Sequence, residues 1–308
     1  VGSTGINGRP HAEHNAIKFS KIKLTNSNLY VTLEPCSHYG KTHPCVNKII
    51  KNKIKKVFFS IKDPDKRSFN KSSKLFRGKN IIINIGLNSK KINEFYRSYK
   101  KYKKNELPFV TSKLAVSKDF FTINKKKRWI TNIYSRGRVH LIRSYHDCIL
   151  TSSTTVIKDN PRLTCRINGL ENTSPFRIIL DKKLSLPINS NVIKNNTDKK
   201  TIIFFNEVNK KKIKLLKKFG VKIYEIPLDK KKMLDLNIVL LKIKNLGFSR
   251  ILLEAGIKLT TSFFKKRLIN DFKIFISDTN ISSNGTGNLK KYFNTFLKIK
   301  KPFNERVY

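Results

Sequence analysis

Four side chains near the start of the chain have the types and spacing needed for metal chemistry. His11 and Glu13 lie two residues apart in a Pro-His-Ala-Glu segment, and Cys36 and Cys45 each follow a proline. One imidazole and two thiolates are a borderline-soft ligand set that suits Zn²⁺. Three protein ligands leave the fourth tetrahedral position for a water, whose pKa the metal lowers so that hydroxide becomes available. The pattern predicts one catalytic zinc per chain, bound by His11, Cys36 and Cys45.

Glu13 is predicted to be the proton carrier of this site. Its position at a helix start, two residues from His11, lets it carry a proton from the water to a leaving amine without binding the metal. Zinc nucleobase deaminases work in this way, and their signature pairs H-x-E with P-C-x-x-C. Here eight residues separate Cys36 from Cys45, so the chain departs from the short cysteine spacing.

A structural zinc is the main alternative reading of these residues. It would take a fourth protein ligand, which His14, His38 or His43 could supply. Buried cysteines that merely pack in a core are a second alternative. Both are less favoured, because neither needs a carboxylate at Glu13.

Alternating strand and helix patterns must position these residues. Short runs of β-branched and aromatic residues predict strands, and segments with helical spacing lie between them. In the first part of the chain the predicted strands are 29–33, 57–61 and 81–85, and the predicted helices are 12–19, 45–53 and 92–104. After a linker at 105–108, a second series of strands is predicted at 109–115, 147–150, 176–180, 201–205, 221–226, 250–253 and 272–276. The alternation predicts an α/β fold.

Composition limits the classes of protein that fit. A chain of 308 residues with 39% hydrophobic residues suggests two domains with sizeable cores and excludes a disordered chain. No apolar stretch approaches the roughly 20 residues of a membrane-spanning helix. Four cysteines and no signal-like start predict a reducing, cytoplasmic location. The net charge of +46 is spread in short lysine runs, which indicates a surface bias and no specific nucleic-acid site.

Longer motifs resemble a known family. The segment VTLEPCSHYGKTHPC at 31–45, with Pro-His-Ala-Glu upstream, resembles the deaminase domain of the bifunctional riboflavin-biosynthesis deaminase/reductase family, which has the longer loop between its cysteines. Later segments resemble the family's reductase domain and occur in the family's order: 113–117, 128–131, 149–164 and 253–256.

This resemblance implies a fold and two reactions. A cytidine-deaminase-like three-layer α/β/α domain is expected at 1–105, and a dihydrofolate-reductase-like α/β domain at 106–308. The first domain would deaminate 2,5-diamino-6-(5-phosphoribosylamino)pyrimidin-4(3H)-one, and the second would use NADPH to reduce the ribosyl side chain to ribityl. The implied partners are this small phosphoribosyl pyrimidine and a second copy of the chain, with no membrane.

The resemblance also implies the contacts of the reductase site. The implied NADPH contacts are Ala115, Trp129, Thr155, Asp159, Gly256, Ile257, Lys258, Leu259, Thr260, Thr261 and Ser262. The implied substrate contacts are Arg143, Leu163, Arg166 and Glu254, and two guanidiniums suit a phosphate group. From the residues alone, the small and hydroxyl residues after strand 250–253 fit a phosphate-binding turn or a plain strand-to-helix turn equally well.

The chain departs from the family pattern in three places. Phe120 stands where the family has a glycine after the first reductase strand, and Lys127 stands where it has a serine. The family also carries residues upstream of the Pro-His-Ala-Glu motif that are not seen before Val1, so a weak deaminase is expected. The short N-terminus keeps a single-activity reductase as an alternative, and the net charge of +46 keeps a nucleic-acid deaminase as another.

Overall fold

A computed structural model describes residues 1–5, 8–40, 42–290 and 292 of the chain. The end of the predicted reductase range, 293–308, lies outside the described residues. The chain divides into two compact units, Val1–Glu106 and Leu107–Tyr308. Among the described residues, no helix is both long and apolar enough to cross a membrane.

The first unit is built on a three-stranded parallel sheet in the order β1-β2-β3. Its strands are β1 (Asn28–Leu33), β2 (Lys56–Ile61) and β3 (Ile82–Ile85), and its helices are α1 (Ala12–Lys18), α2 (Cys45–Lys51), α3 (Lys71–Arg77), α4 (Ser89–Phe95) and α5 (Arg97–Lys103). One face of the sheet packs on a core that includes Val46, Ile49, Val57, Phe59 and Phe76. The three predicted strands are confirmed to within one residue.

The predicted helix 92–104 is wrong in one respect, because the structure has two short helices there, α4 and α5. The break lies at Tyr96, whose φ and ψ are −88° and 9°. The Tyr96 hydroxyl lies 2.9 Å from the Thr32 hydroxyl of β1. A contact of this kind depends on tertiary packing, which helical periodicity in the sequence does not report.

The second unit has a seven-stranded parallel sheet in its described part, in the order β11-β4-β10-β6-β7-β8-β9. These strands are β4 (Phe109–Val116), β6 (Cys148–Ser152), β7 (Phe176–Leu180), β8 (Thr201–Phe205), β9 (Lys222–Glu225), β10 (Arg250–Leu253) and β11 (Asp271–Ile276). All seven match predicted strands to within two residues. The sequence reading missed β5 (Phe121–Asn124) and β12 (Gly285–Asn288), which form a separate antiparallel pair.

Helices connect and cover the strands of the second unit. They are α6 (Ile133–Ser144), α7 (Ser153–Asp159), α8 (Asn191–Lys194), α9 (Lys210–Lys218), α10 (Leu236–Asn245) and α11 (Ile257–Lys265). Buried aliphatic side chains form two clusters, with Leu150 and Leu253 in one and Ile149 and Leu252 in the other. Successive residues of a strand point to opposite faces, so both faces of this sheet are buried, as expected for a parallel sheet.

The strand order brings three carboxyl ends together. β10 lies between β4 and β6 although it follows both in the chain. In open α/β sheets, ligands bind outside the carboxyl ends of strands where the strand order changes direction. A ligand site in this unit is therefore expected after β6 and β10 and at the end of β4.

Candidate metal centre and reductase site

The structure brings His11, Cys36 and Cys45 together. His11 Nδ1 lies 3.3 Å from the sulfur of Cys36 and 3.3 Å from the sulfur of Cys45. Within the described residues these three form one group whose ligand atoms all lie within 4.8 Å of one another. Both cysteines are buried and free of disulfides.

Helix starts and one strand end hold the three residues. His11 caps α1, Cys36 follows β1 after two residues, and Cys45 is the first residue of α2. The Cys45 backbone N–H donates to the Cys36 sulfur at 3.3 Å, and the Val46 N–H donates to the Cys36 carbonyl at 3.2 Å. Because backbone N–H groups at a helix start carry partial positive charge, they favour a thiolate at this position.

The donor set and its spacing fit a zinc ion. For tetrahedral zinc with ordinary Zn–S and Zn–N bond lengths, neighbouring donor atoms are about 3.5–3.8 Å apart. The observed nitrogen-to-sulfur distances of 3.3 Å are close to this, so little movement is needed. The hydrogen bond with Cys45 lowers the pKa of Cys36 to about 4, and hydrogen bonding with Cys36 raises the pKa of Cys45. The pair thus already favours one thiolate.

Glu13 lies beside the three ligands. It is in the first turn of α1, and together with Cys36 and burial it raises the pKa of the Cys45 thiol. Burial raises the pKa of its carboxyl. A carboxyl beside a metal site can accept a proton and return it, which is the role that the sequence predicts for Glu13.

The three histidines considered as a fourth ligand lie outside this group. His14 ring nitrogens lie 3.1 and 3.3 Å from the Lys48 ammonium. His38 Nδ1 lies 2.9 Å from the Ser68 hydroxyl, and the His43 ring contacts Tyr39 edge-on. Within the described residues the group therefore has three protein ligands, the number typical of a catalytic zinc rather than a structural one.

In the second unit, Arg143 and Glu254 form a bidentate ion pair at the carboxyl end of β10. Arg143 Nε donates to Oε1 at 2.7 Å and Nη2 donates to Oε2 at 2.9 Å. Arg143 Nη1 donates to the Thr164 carbonyl at 3.1 Å. Burial opposes ionisation of Glu254, but Arg143 lowers its pKa to about 2. Three of the five guanidinium N–H groups of Arg143 are therefore engaged by protein groups, and one N–H on each Nη atom is left for a ligand.

The other two predicted substrate contacts lie near this pair. Arg166 is exposed, and its Nη1 donates to the Thr164 hydroxyl at 3.3 Å. Leu163 is buried, at 3% exposure, with a φ of +54°. A branched residue in the left-handed region carries backbone strain, which is common at ligand sites.

Lys113 on β4 is a further candidate functional residue. It belongs to the family-like segment 113–117, but no role was predicted for it from the sequence. Its side chain is half-buried. Burial lowers the pKa of Lys113, whereas the charge of Glu254 raises it. The sequence signal for this residue was a lysine within a strand of otherwise mostly apolar residues, two positions before Ala115. A partly buried lysine whose pKa is lowered by burial and raised by a nearby carboxylate is a candidate functional residue.

The predicted cofactor contacts outside the Gly256 turn lie near the end of β4, in α7 and in one loop. Ala115 is near the end of β4, Thr155 is in the first turn of α7, and Asp159 ends α7. The Thr155 N–H donates to the Ser152 hydroxyl at 3.3 Å. Trp129 is 57% exposed, and the guanidinium of Arg128, which lies 5.1 Å from the Trp129 ring, donates to the Asp159 carbonyl at 3.2 Å.

The turn at Gly256 leaves space at the start of α11. A Cβ built on Gly256 would meet no protein atom within 4 Å, so the approach to the first N–H groups of this nine-residue helix is open. The hydroxyls of Thr260, Thr261 and Ser262 instead bond to carbonyls of the same segment. The turn therefore fits a cofactor phosphate bound by backbone N–H groups, with these three hydroxyls already occupied.

The two departures from the family pattern have different surroundings. Phe120 has a φ of +67°, and its N–H donates to the Ser117 carbonyl at 2.9 Å. The chain thus keeps at Phe120 a left-handed backbone of the kind that glycine adopts without strain. The Lys127 N–H donates to the Asn124 side chain at 3.3 Å, and the Lys127 side chain is exposed.

Comparison with known families and proteins agrees with this division of the chain. A family model described as the cytidine and deoxycytidylate deaminase zinc-binding region matches residues 2–61. A model described as the RibD C-terminal domain matches residues 108–280. The first match includes all three candidate zinc ligands.

Relatives and solved structures match most of the chain. Riboflavin biosynthesis protein RibD of Aquifex aeolicus is 34% identical over 272 residues, which are 88% of this chain and 74% of that protein. The Chlamydia trachomatis protein of the same name is 30% identical over 85% of this chain and 70% of its own length. The structure of Acinetobacter baumannii RibD matches with a TM-score of 0.78 and 26% identity, covering 91% of this chain and 77% of that chain.

A third similar structure names both activities. It is a diaminohydroxyphosphoribosylaminopyrimidine deaminase/5-amino-6-(5-phosphoribosylamino)uracil reductase from Thermotoga maritima, with a TM-score of 0.76 and 28% identity over 92% of this chain and 77% of that chain. The fold is a cytidine-deaminase-like zinc domain followed by a RibD-type reductase domain. The chain belongs to the RibD family of riboflavin biosynthesis proteins, as a bifunctional deaminase and reductase.

Proposed function

We propose that the two units catalyse consecutive steps on one small phosphoribosyl pyrimidine. The unit Val1–Glu106 removes the 2-amino group of 2,5-diamino-6-(5-phosphoribosylamino)pyrimidin-4(3H)-one as ammonia. The unit Leu107–Tyr308 then reduces the ribosyl side chain to give 5-amino-6-(5-phosphoribitylamino)uracil. The observation that carries the proposal is the His11, Cys36 and Cys45 group with Glu13 beside it, in a chain that also matches the RibD reductase domain.

In the deaminase step, His11, Cys36 and Cys45 would hold one zinc ion. Zinc in such a site supplies the nucleophile, because it lowers the pKa of a water. Glu13 would accept a proton at this site and return it to the leaving amine, and its partial burial limits contact with bulk solvent. The raised pKa of Glu13 makes it a better base than an ordinary carboxylate.

In the reductase step, NADPH supplies the hydride and the chain supplies position and charge. The predicted cofactor contacts are Ala115, Trp129, Thr155, Asp159 and the turn from Gly256 to Ser262. Arg166, which is exposed, and the two remaining N–H groups of Arg143 would hold the substrate phosphate. Glu254, Lys113 and Leu163 would contact the ribosyl part of the substrate at the strand ends.

The location and the partners of the enzyme are also proposals. We infer that the chain works in the cytoplasm, pairs with a second copy of itself and has no specific nucleic-acid partner. The last point rests on the spread of its positive charge along the sequence, which gives attraction to polyanions without specificity.

The test is to assay the purified chain for each product separately. With the diaminopyrimidine substrate alone, ammonia should be released and no ribityl product should form. With both present, the ribityl product should form. If ammonia release and NADPH oxidation are both absent under conditions where a characterised relative shows them, the proposal is wrong.

A further inference from the structure

Glu34 is a buried acidic residue outside the group of candidate metal ligands. Its side chain is 2% exposed, and three hydrogen bonds hold it. The backbone N–H groups of Asp63 and Asn70 each donate to Oε2 at 3.2 Å, and the Ser72 hydroxyl donates to Oε1 at 2.8 Å. The Glu34 N–H donates to the Ile61 carbonyl at 2.9 Å. The Glu34 main chain is therefore bonded to the last residue of β2, and its side chain is bonded to residues that follow β2.

These bonds connect the metal-ligand segment to the segment 63–72. Glu34 lies two residues before Cys36. Within 63–72, the buried Ser68 hydroxyl lies 2.9 Å from His38 Nδ1. His38 in turn belongs to the segment that joins the two cysteine ligands. A continuous set of contacts thus leads from Glu34 through the 63–72 segment to the His38 ring.

We propose that Glu34 is a positioning residue of the deaminase site, which fixes segment 63–72 and through Ser68 fixes His38. This inference rests on the proposed deaminase function. Removal of the carboxylate would leave the buried Asp63 N–H without a partner, which is costly inside a protein. The segment would then move to find new partners, and His38 would lose its anchor.

Glutamine can replace this carboxylate without loss of hydrogen bonds. Its side-chain oxygen can accept from the two N–H groups, while its NH₂ group donates to the Ser72 oxygen. Glu34→Gln should therefore behave like the unaltered chain, whereas Glu34→Ala should not. The contrast separates hydrogen bonding from the negative charge itself.

The experiment compares Glu34→Ala, Glu34→Gln and Ser68→Ala in the full chain. Glu34→Ala should speed amide hydrogen exchange at Asp63 and Asn70 and raise the deaminase KM about tenfold, in the range of outer-shell substitutions at metal sites, with kcat much less affected. Ser68→Ala should raise KM similarly without faster exchange at those two amides. Because both act by one route, the double variant should have a KM close to that of Glu34→Ala.

A second readout does not depend on activity. Imidazole NMR signals of His38 should shift or broaden in Glu34→Ala and Ser68→Ala, while those of His43, which contacts Tyr39, should stay unchanged. Unchanged His38 signals in both variants would overturn the proposal, and so would a normal KM in Ser68→Ala. If Glu34→Ala does not fold, Ser68→Ala alone decides. If the unaltered chain releases no ammonia, the proposed function fails, and the NMR comparison still tests Glu34.

Discussion

Arg143 and Glu254 make two parallel hydrogen bonds, of 2.7 and 2.9 Å, between α6 and the end of β10. Only 12% of the Arg143 side-chain surface and 10% of the Glu254 side-chain surface are exposed to solvent. Lys113 adds a second cation whose charge favours ionised Glu254. Two cations and one carboxylate beside the carboxyl end of β10 give this site a fixed charge pattern before any ligand binds.

Glu254→Gln should abolish most reductase activity and destabilise the second unit. The buried Arg143 would lose its counter-charge, and breaking such a pair costs about 3–5 kcal/mol. Ammonia release should be retained, because Glu254 lies in the other unit. The matched control is Glu207→Gln, which breaks the exposed Lys182–Glu207 pair and should cost under about 1 kcal/mol. Urea unfolding followed by fluorescence of Trp129, the single tryptophan, measures both; equal costs would contradict this account.

Cys45→Ser should lose zinc, whereas Glu13→Gln should keep it. A hydroxyl is a poor substitute for the thiolate that zinc prefers, and Glu13 is proposed to move protons without binding the ion. Ammonia release by Glu13→Gln should fall on the order of a thousandfold. Elemental analysis gives the metal content, with Cys165→Ser as a control for a buried cysteine outside the metal group. Full zinc in Cys45→Ser would remove it from the ligand set.

Gly256→Val should weaken NADPH binding and leave ammonia release intact. The added side chain would enter the open space at the start of α11, where it meets no protein atom within 4 Å at its Cβ. A bound cofactor phosphate would meet it. Gly137→Val is the control, because a Cβ on this glycine of α6 also meets open space. Titration of NADPH fluorescence should show a raised Kd for Gly256→Val alone.

The sequence already indicated the three residues that the structure brings together, because each lies beside a local signal. His11 precedes a helix, Cys36 follows a strand and Cys45 begins a helix, and each of these starts and ends is visible in composition. The Arg143–Glu254 pair could not be predicted in this way. The two residues are 111 positions apart, and their contact depends on β10 inserting between β4 and β6, an order that hydrophobic patterns do not encode.

Phe120 should show an inverted preference between glycine and alanine. At an ordinary strand position, alanine is more stable than glycine by about 0.5–1 kcal/mol. At the Phe120 φ of +67°, Phe120→Gly should instead be more stable than Phe120→Ala by about 1 kcal/mol, because only alanine keeps the left-handed strain. The neighbouring Phe121, in β5, provides the control, where the alanine variant should be the more stable one. The same order at both positions would contradict the backbone argument.

His146 should make the second unit less stable as the pH falls from about 6.5 to about 4. Burial lowers the pKa of His146 to about 4; its Nδ1 lies 2.7 Å from the Ile142 carbonyl, and Nε2 is buried without a hydrogen-bond partner in the described structure. The unfolded chain therefore binds a proton in this window that the folded chain does not, so the free energy of unfolding rises with pH there.

The full effect is roughly 3 kcal/mol, since each unit of pKa difference corresponds to about 1.4 kcal/mol. Nearby Arg250 favours the neutral ring, while Asp147 and Glu254 oppose it. His146→Gln can keep a donor to Ile142 but has no group that titrates, so its unfolding free energy should change less between pH 6.5 and 5. Glu254 titrates in the folded chain near pH 2, and its contribution to stability is lost only as the pH falls below about 4.5, the ordinary range of a glutamate. Urea unfolding of both forms at pH 6.5 and 5 isolates the histidine; identical pH slopes would show that His146 is not the group responsible.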